Sequence, residues 1–254
     1  MPDRVAPDDR SRIVPFDSQI HAGLGIDPQQ LKHFSARHNA ITINLVEFFY
    51  ASQHFPIVFV KTDNGMMQTS AITGLQSNEN LFVDEQGHWQ QHVYVPAYIR
   101  RFPFYTADAN DKTKPDKKMI LVDEAGLVEC DDPFFDQSGQ ATEKWSQVEN
   151  FIADYISAEK MTVRFATKLD RLGLMEPFDA QINPQQKNSL RVSGMHRVDE
   201  NRLNKLPAKV IKDLMQEGEM SRIYAHLISL ENFAKLLDLS VIQQQADATR
   251  HQAN

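Results

Sequence analysis

A series of β-prone segments connected by tight turns constrains the fold of this chain more than any other feature of its sequence. Residues 55–62 are rich in β-branched and aromatic side chains, and Asn64-Gly65 after them is a strong hairpin signal. Residues 81–89 and 120–128 repeat a phrase in which Asp stands first and Gly fourth in the turn. Strands that follow one another through such turns form an antiparallel meander.

The strongest helix pattern in the chain follows these strands. Across residues 139–174, apolar side chains recur every three or four positions. They are Trp145, Val148, Ile152, Tyr155, Val163, Ala166 and Leu169. Thr142 is a suitable N-cap, and Gly173 followed by Pro177 ends the run. The pattern predicts one long helix over residues 142–172.

The remaining elements are shorter, and their order decides the fold class. They comprise helices that begin after Asp27, Asn44, Asp199 and Pro207, two strands over residues 178–182 and 189–194, and an amphipathic helix over residues 220–237. Strands therefore precede the long helix, and a hairpin and helices follow it, unlike the alternation of a parallel α/β sheet. We predict an α+β fold in which an antiparallel β-meander packs with a long central helix and C-terminal helices.

Composition indicates one globular domain between two tails. The 254 residues are 41% hydrophobic and 24% charged, which is ordinary for a chain large enough to bury its own core. Residues 1–12 and 241–254 are polar and lack apolar periodicity, so we predict a disordered tail at each end. Residues 13–240 are predicted to form a single α+β domain.

Charge, cysteine content and hydropathy disfavour several classes of function. The net charge is −7, which opposes nonspecific nucleic-acid binding. Cys130 is the only cysteine, so no intramolecular disulfide forms, and its acidic neighbours oppose a reactive thiolate. The sequence contains neither a run of about 18 apolar residues nor the apolar core of a signal peptide. We therefore predict a cytoplasmic protein without membrane insertion.

Candidate binding residues concentrate in residues 93–104. Tyr98, Arg100 and Arg101 combine an aromatic face with two guanidinium groups that suit a carboxylate or a phosphate. The alternative is a structural crossover whose arginines satisfy local carbonyls and carboxylates. Adjacent side chains point in different directions on a strand or a helix. We therefore predict that one arginine is buried in a structural ion pair and that the other faces a cleft.

A second group of candidates lies around His196. His196 and Arg197 are predicted as binding residues, and with Asp199 and Glu200 they would suit acid–base chemistry because histidine titrates near neutrality. The competing explanation is structural, since Asp199 suits a helix cap and Glu200 complements the helix dipole.

Two further polar residues are interpreted as structural. His226 lies on or beside the apolar stripe of its helix and is interpreted as a core histidine. Glu47 stands three residues after Asn44, as in a capping box, so Glu47→Gln is predicted to cost little stability. The histidines lack metal-ligand spacing. We predict no catalytic residue, no metal site and no cofactor.

Several phrases of the sequence resemble the SapC-like family of proteobacterial proteins. The matching phrases include EF (47–48), FPIVF (55–59), NLFVD (80–84), YVPAYIRRFPF (94–104), HRVDE (196–200) and YAHL (224–227). Similar proteins are encoded near flavin-dependent halogenase-like enzymes, cupin-like hydroxylases and outer-membrane receptors. The resemblance implies an accessory role in an uptake or modification pathway, and it brings no catalytic residue to carry over.

Two functional hypotheses remain open. The first is a non-catalytic cytoplasmic accessory protein that binds a partner protein or a small anionic ligand. The alternative is an enzyme with a site near Arg100 and His196. The two hypotheses differ in whether these residues converge in one concave pocket.

Overall fold

The computed structural model describes residues 12–109, 118–182 and 190–253. Every strand pair within these residues is antiparallel. The strands are β1 (Ile13–Pro15), β2 (Leu24–Ile26), β3 (Ala40–Thr42), β4 (Ile57–Lys61), β5 (Met67–Ile72), β6 (Phe104–Asp108), β7 (Lys118–Asp123), β8 (Leu127–Glu129), β9 (Met175–Ile182) and β10 (Leu190–Val198). The helices are α1 (Pro28–Ala36), α2 (Phe48–Ala51), α3 (Ala97–Arg100), α4 (Glu143–Arg171), α5 (Glu200–Leu203), α6 (Ala208–Gln216), α7 (Glu219–Ser229) and α8 (Asn232–Ala253). The predicted α+β class, with its long central helix and C-terminal helices, is confirmed.

The strands divide among three sheets. The main sheet has the order β3-β5-β4-β10-β9, a second sheet has the order β1-β7-β6, and β2 pairs with β8. The strand β7 pairs with β1 and the strand β8 pairs with β2, so β7 and β8 belong to different sheets. Residues 81–89, predicted as strand, turn and strand, form a single bridge between Val83 and Trp89. The turns thus lie where the sequence predicts them, whereas the pairing depends on the N-terminal segment.

The helix α4 joins two hydrophobic cores. Its N-terminal half contributes Trp145 and Ile152 to a core shared with the second sheet. Its C-terminal half contributes Phe165 and Leu169 to the larger core of the main sheet. The hydroxyl of Thr142 accepts a hydrogen bond from the backbone N–H of Trp145 at 3.3 Å, so the predicted N-cap is confirmed.

Val163 departs from the predicted apolar stripe of α4, because its side chain is 42% exposed. The preceding Thr162 is buried, and its hydroxyl accepts a hydrogen bond from the backbone N–H of Leu45 at 2.8 Å. The first N–H groups of a helix lack intrahelical partners, and Leu45 begins a short 3-10 turn before α2. The helix α4 therefore buries the polar side chain of Thr162, because its hydroxyl accepts a hydrogen bond from the first N–H of the neighbouring 3-10 turn.

The C-terminal region differs from its prediction in two ways. The single helix expected over residues 220–237 is two helices, α7 and α8, because the amide of Asn232 donates to the carbonyls of Ser52 and Phe55 and anchors a new helix start. The helix α8 then continues to Ala253, across residues for which the sequence predicts a disordered tail. Glutamine and alanine are favourable helix formers and can extend a helix without a buried face. The predicted N-terminal tail lies almost entirely outside the described residues.

His226 fastens α7 to the main sheet. Its imidazole is fully buried, with Nδ1 at 2.8 Å from the carbonyl oxygen of Ile57. Its Nε2 accepts a hydrogen bond from the backbone N–H of Val198 at 3.1 Å. One turn later, the hydroxyl of Ser229 accepts from the N–H of Ile57 at 2.9 Å. The interpretation of His226 as a core histidine with satisfied ring nitrogens is confirmed.

Candidate functional site

The short helix α3 holds the two adjacent arginines in different environments. Its first three residues are buried, and Tyr98 and Ile99 pack with Ile41 in a small core of their own. Arg100 is exposed, whereas Arg101 is partly buried. The divergence expected for neighbouring side chains is therefore present, and each arginine has its own set of contacts.

Arg101 is surrounded by tyrosine rings. Its guanidinium carbon lies 4.4 Å from the ring centroid of Tyr98, 5.0 Å from that of Tyr155 and 5.2 Å from that of Tyr105. Such cation–π contacts stabilise a guanidinium that is partly removed from water. Tyr98 itself is 97% buried, since only 3% of its surface is exposed. Tyr98 and Arg101 thus fasten α3 to α4 and β6.

Replacing Arg101 with alanine is expected to lower the free energy of unfolding by about 2 kcal/mol, because three cation–π contacts and the packing of the side-chain stem are lost. Arg100→Ala is expected to stay within about 0.5 kcal/mol of the unmodified chain. Urea denaturation of both variants measures the difference. Arg101→Lys is the matched control, since it keeps the charge but lacks the planar group that stacks on rings. Equal stability of the two alanine variants would contradict this assignment.

Glu47 is a buried carboxylate that contacts the first residue of α3. Its Oε2 accepts a hydrogen bond from the N–H of Asn44 at 2.8 Å, which is the predicted capping contact. Its Oε1 accepts from the N–H of Ala97 at 2.7 Å and from the hydroxyl of Tyr94 at 2.9 Å. Burial raises the pKa of Glu47 above its usual range, against the opposing effect of these hydrogen bonds and of the charge of Arg100. Glu47 thus joins the start of one helix to the start of another.

Tyr94 connects this carboxylate to Arg100. The guanidinium Nη2 donates to the hydroxyl of Tyr94 at 3.2 Å, and Nε donates to the carbonyl of Val95 at 3.1 Å. Burial, together with the negative charge of Glu47, raises the pKa of Tyr94, so its hydroxyl stays protonated and donates to the carboxylate. The chain of contacts from Glu47 through Tyr94 holds the guanidinium in one orientation.

Arg100 is a cation without a carboxylate partner in the described part of the chain. It uses two of its five N–H groups in the contacts above, and the others have no hydrogen-bond partner among the residues that the structure describes. Its guanidinium carbon lies 5.1 Å from the ring centroid of Phe151 on α4. An exposed, oriented and unpaired guanidinium beside an aromatic ring is suited to bind an anion.

A cavity of about 490 Å³ opens beside this guanidinium. Its walls include Glu47, Tyr50, Tyr94, Arg100, Phe151 and Asp154. Tyr50 is 61% exposed and stacks on Tyr94 with ring centroids 5.7 Å apart. The volume lies within the range of about 300–1,000 Å³ that is common for small-molecule sites.

A model of the SapC family matches residues 16–236, which is most of the chain and includes every residue of this cavity. The chain belongs to the SapC family. No curated protein and no solved structure matches it. The family resemblance drawn from the sequence is therefore confirmed, and no named relative assigns an activity to this SapC-family chain.

His196 and Arg197 are not among the lining residues of this cavity. Both belong to β10 of the main sheet, where His196 is paired with Phe59 and its Nδ1 is buried without a hydrogen-bond partner among the described residues. Arg197 pairs with Glu176, with Nε at 2.7 Å from Oε1. The structure of this SapC-family chain thus brings together Arg100, Tyr94 and Glu47 rather than Arg100 and His196.

Asp199 has the structural role that the sequence offered as an alternative. Its Oδ1 accepts hydrogen bonds from the backbone N–H groups of Asn201 and Arg202 at 2.9 and 3.1 Å, so it caps α5.

Among the residues described, no helix combines the length and the apolar character that crossing a bilayer requires. Within the same residues, no group of three or more potential ligands from His, Cys, Asp and Glu is arranged to hold a metal ion.

Proposed function

We propose that this SapC-family chain is a non-catalytic, cytoplasmic accessory protein of an uptake or modification pathway that binds a small anionic ligand at Arg100. The observation that carries the proposal is the guanidinium of Arg100, which is exposed, oriented by Tyr94 and unpaired with any carboxylate in the described part of the chain. A guanidinium held in place before binding loses less conformational entropy when a ligand arrives.

The other groups in the cavity restrict the charge of the ligand. Glu47 and Asp154 also line it, and their negative charges disfavour a ligand with several anionic groups. The rings of Tyr50, Tyr94 and Phe151 provide apolar and aromatic surface around the guanidinium. These features favour a monocarboxylate with a planar or apolar body.

The hydrogen bonds of Glu47 favour binding over acid–base catalysis. A general base must reach the proton that it removes, yet both oxygens of Glu47 already accept hydrogen bonds within the protein. Tyr94 keeps its proton because its pKa is raised. The enzyme hypothesis also required Arg100 and His196 in one pocket, and His196 does not line this one.

Titration calorimetry with benzoate, a planar monocarboxylate, tests the proposal. We expect saturable binding to the unmodified chain and a loss of at least about 10-fold in affinity in Arg100→Ala, since a hydrogen bond to a charged group contributes about 1.5–3 kcal/mol. Arg164→Ala is the matched control, because it removes an exposed arginine of α4 that does not line the cavity. If Arg100→Ala binds benzoate as tightly as Arg164→Ala does, the anion site at Arg100 is wrong.

A further inference from the structure

A second cavity shares the lining residues Arg100 and Phe151 with the first. It has a volume of about 260 Å³. The contact between the guanidinium and the phenyl ring therefore belongs to the walls of both cavities. The second cavity alone is smaller than the usual small-molecule site of about 300–1,000 Å³.

One face of α4 forms a common wall of both cavities. Gln147, Val148 and Phe151 line the second cavity, and Phe151, Asp154 and Ala158 line the first. Positions three or four residues apart lie on the same side of a helix. At 1.5 Å per residue, the lined stretch is roughly 17 Å long, which suits an extended ligand.

Both cavities combine mainly apolar walls with a few polar side chains. The polar lining residues of the first include Glu47, Tyr50, Tyr94 and Asp154. The second contains Ile26, Phe102, Phe104 and Val148, with Arg101 and Gln147 as its polar members beside the shared Arg100. Apolar walls of this kind favour hydrocarbon over charge, because burying a methylene group is favourable and burying a charge is costly.

We infer that the ligand is an amphipathic monocarboxylate whose acid group pairs with Arg100 and whose hydrocarbon chain lies against Ile26, Phe102, Phe104 and Val148. This inference rests on the proposed function and names the class of its ligand. Among the described residues, Arg100 is the only cation that lines both cavities, and it has no carboxylate partner there, so the acid group lies beside it. The hydrocarbon chain then extends along α4 into the second cavity.

A chain-length series of straight-chain carboxylates, from butyrate to decanoate, tests the inference by titration calorimetry. The Kd for the unmodified chain is expected to fall about 4-fold for each added methylene until the second cavity is full. Arg100→Ala is expected to weaken every member by a similar factor. Octylammonium, which carries the opposite charge on the same hydrocarbon, is expected to bind at least about 10-fold more weakly than octanoate.

Filling the second cavity should abolish the dependence on chain length. Val148→Trp places a bulky ring there, and we expect nearly the same Kd from butyrate to decanoate. Val163→Trp is the matched control, since it makes the same substitution on the same helix at a position outside both cavities. Far-UV circular dichroism verifies that each variant is folded. If Val148→Trp does not fold, the chain-length series on the unmodified chain still decides the inference.

The outcomes separate the two proposals. If butyrate and benzoate bind through Arg100 but affinity does not grow with chain length, the ligand class is wrong and the anion site stands. Equal binding of octylammonium and octanoate, or an unchanged slope in Val148→Trp, also overturns the ligand class. If no carboxylate binds in a manner that depends on Arg100, the proposed function fails as well.

Discussion

Lowering the pH from 7 to 4 is expected to remove about 3 kcal/mol from the free energy of unfolding through the single side chain of His226. Burial lowers the pKa of His226 from 6.5 to about 4; the hydrogen bond to the carbonyl of Ile57 opposes this shift, and the positive charge of Arg197 adds to it. Because the unfolded chain takes up the proton first, the stability present above pH 6.5 is lost as the pH falls from 6.5 towards 4. In the fold, a protonated Nε2 would point its hydrogen at the N–H of Val198.

Chemical denaturation at several pH values measures this loss. His226→Gln is expected to be less stable than the unmodified chain at pH 7, yet to lack most of the decline between pH 6.5 and 4, because an amide does not titrate. His33→Gln removes an exposed histidine of α1 and should follow the unmodified chain. If the free energy of unfolding of His226→Gln declines with falling pH as much as that of the unmodified chain, groups other than His226 cause the acid sensitivity.

Glu47→Gln is expected to lower the free energy of unfolding by about 2 kcal/mol, because it leaves one buried N–H group without an acceptor. The capping box alone predicts a small cost, since an amide can also reach the cap nitrogen. In the structure, however, the carboxylate accepts from Asn44 with one oxygen and from Ala97 with the other. An amide has a single oxygen, so its NH₂ group must face one of these two donors.

Thermal and urea denaturation of Glu47→Gln at pH 7 tests this expectation. Glu149→Gln makes the same change on an exposed residue of α4 and should be nearly neutral. Burial raises the pKa of Glu47 above its usual 4.5, so the unmodified chain also loses stability as the pH rises through the folded pKa, a loss that Glu47→Gln should lack. Equal melting temperatures for Glu47→Gln and Glu149→Gln would contradict this prediction and would leave Glu47 with the capping contact alone as its structural role.

Local signals account for the part of the fold that the sequence predicts. The caps at Asp27, Thr142 and Asp199 and the turn at Asn64-Gly65 depend on residues only a few positions apart. The division of strands among three sheets depends on pairs such as β2 with β8, which are distant in sequence. Local sequence patterns do not determine which distant strand a given strand pairs with, so they could not predict how the strands divide among the sheets.

The candidate site shows the same limit. Arg100 is recognisable in the sequence because two arginines follow a tyrosine. Its partners Glu47 and Phe151 come from distant segments, and only the fold brings them to one cavity. One signal for Glu47 was present, since Leu45, Val46 and the phenylalanines after it flank a carboxylate with apolar residues. A charge in such surroundings is either exposed on a turn or buried with partners, and here it is buried.

The position of β4 in the main sheet has a consequence for how the chain emerges from the ribosome. Its strand partners are β5, which follows directly, and β10, which lies near the other end of the chain. At about 5–20 residues per second, translation from Lys61 to Val198 takes roughly 7 to 27 s. During that time β4, whose Ile57, Val58 and Phe59 are destined for burial, presents one unpaired apolar edge. Such edges pair readily with other chains, so expression at high levels without chaperones favours aggregation of nascent chains over folding.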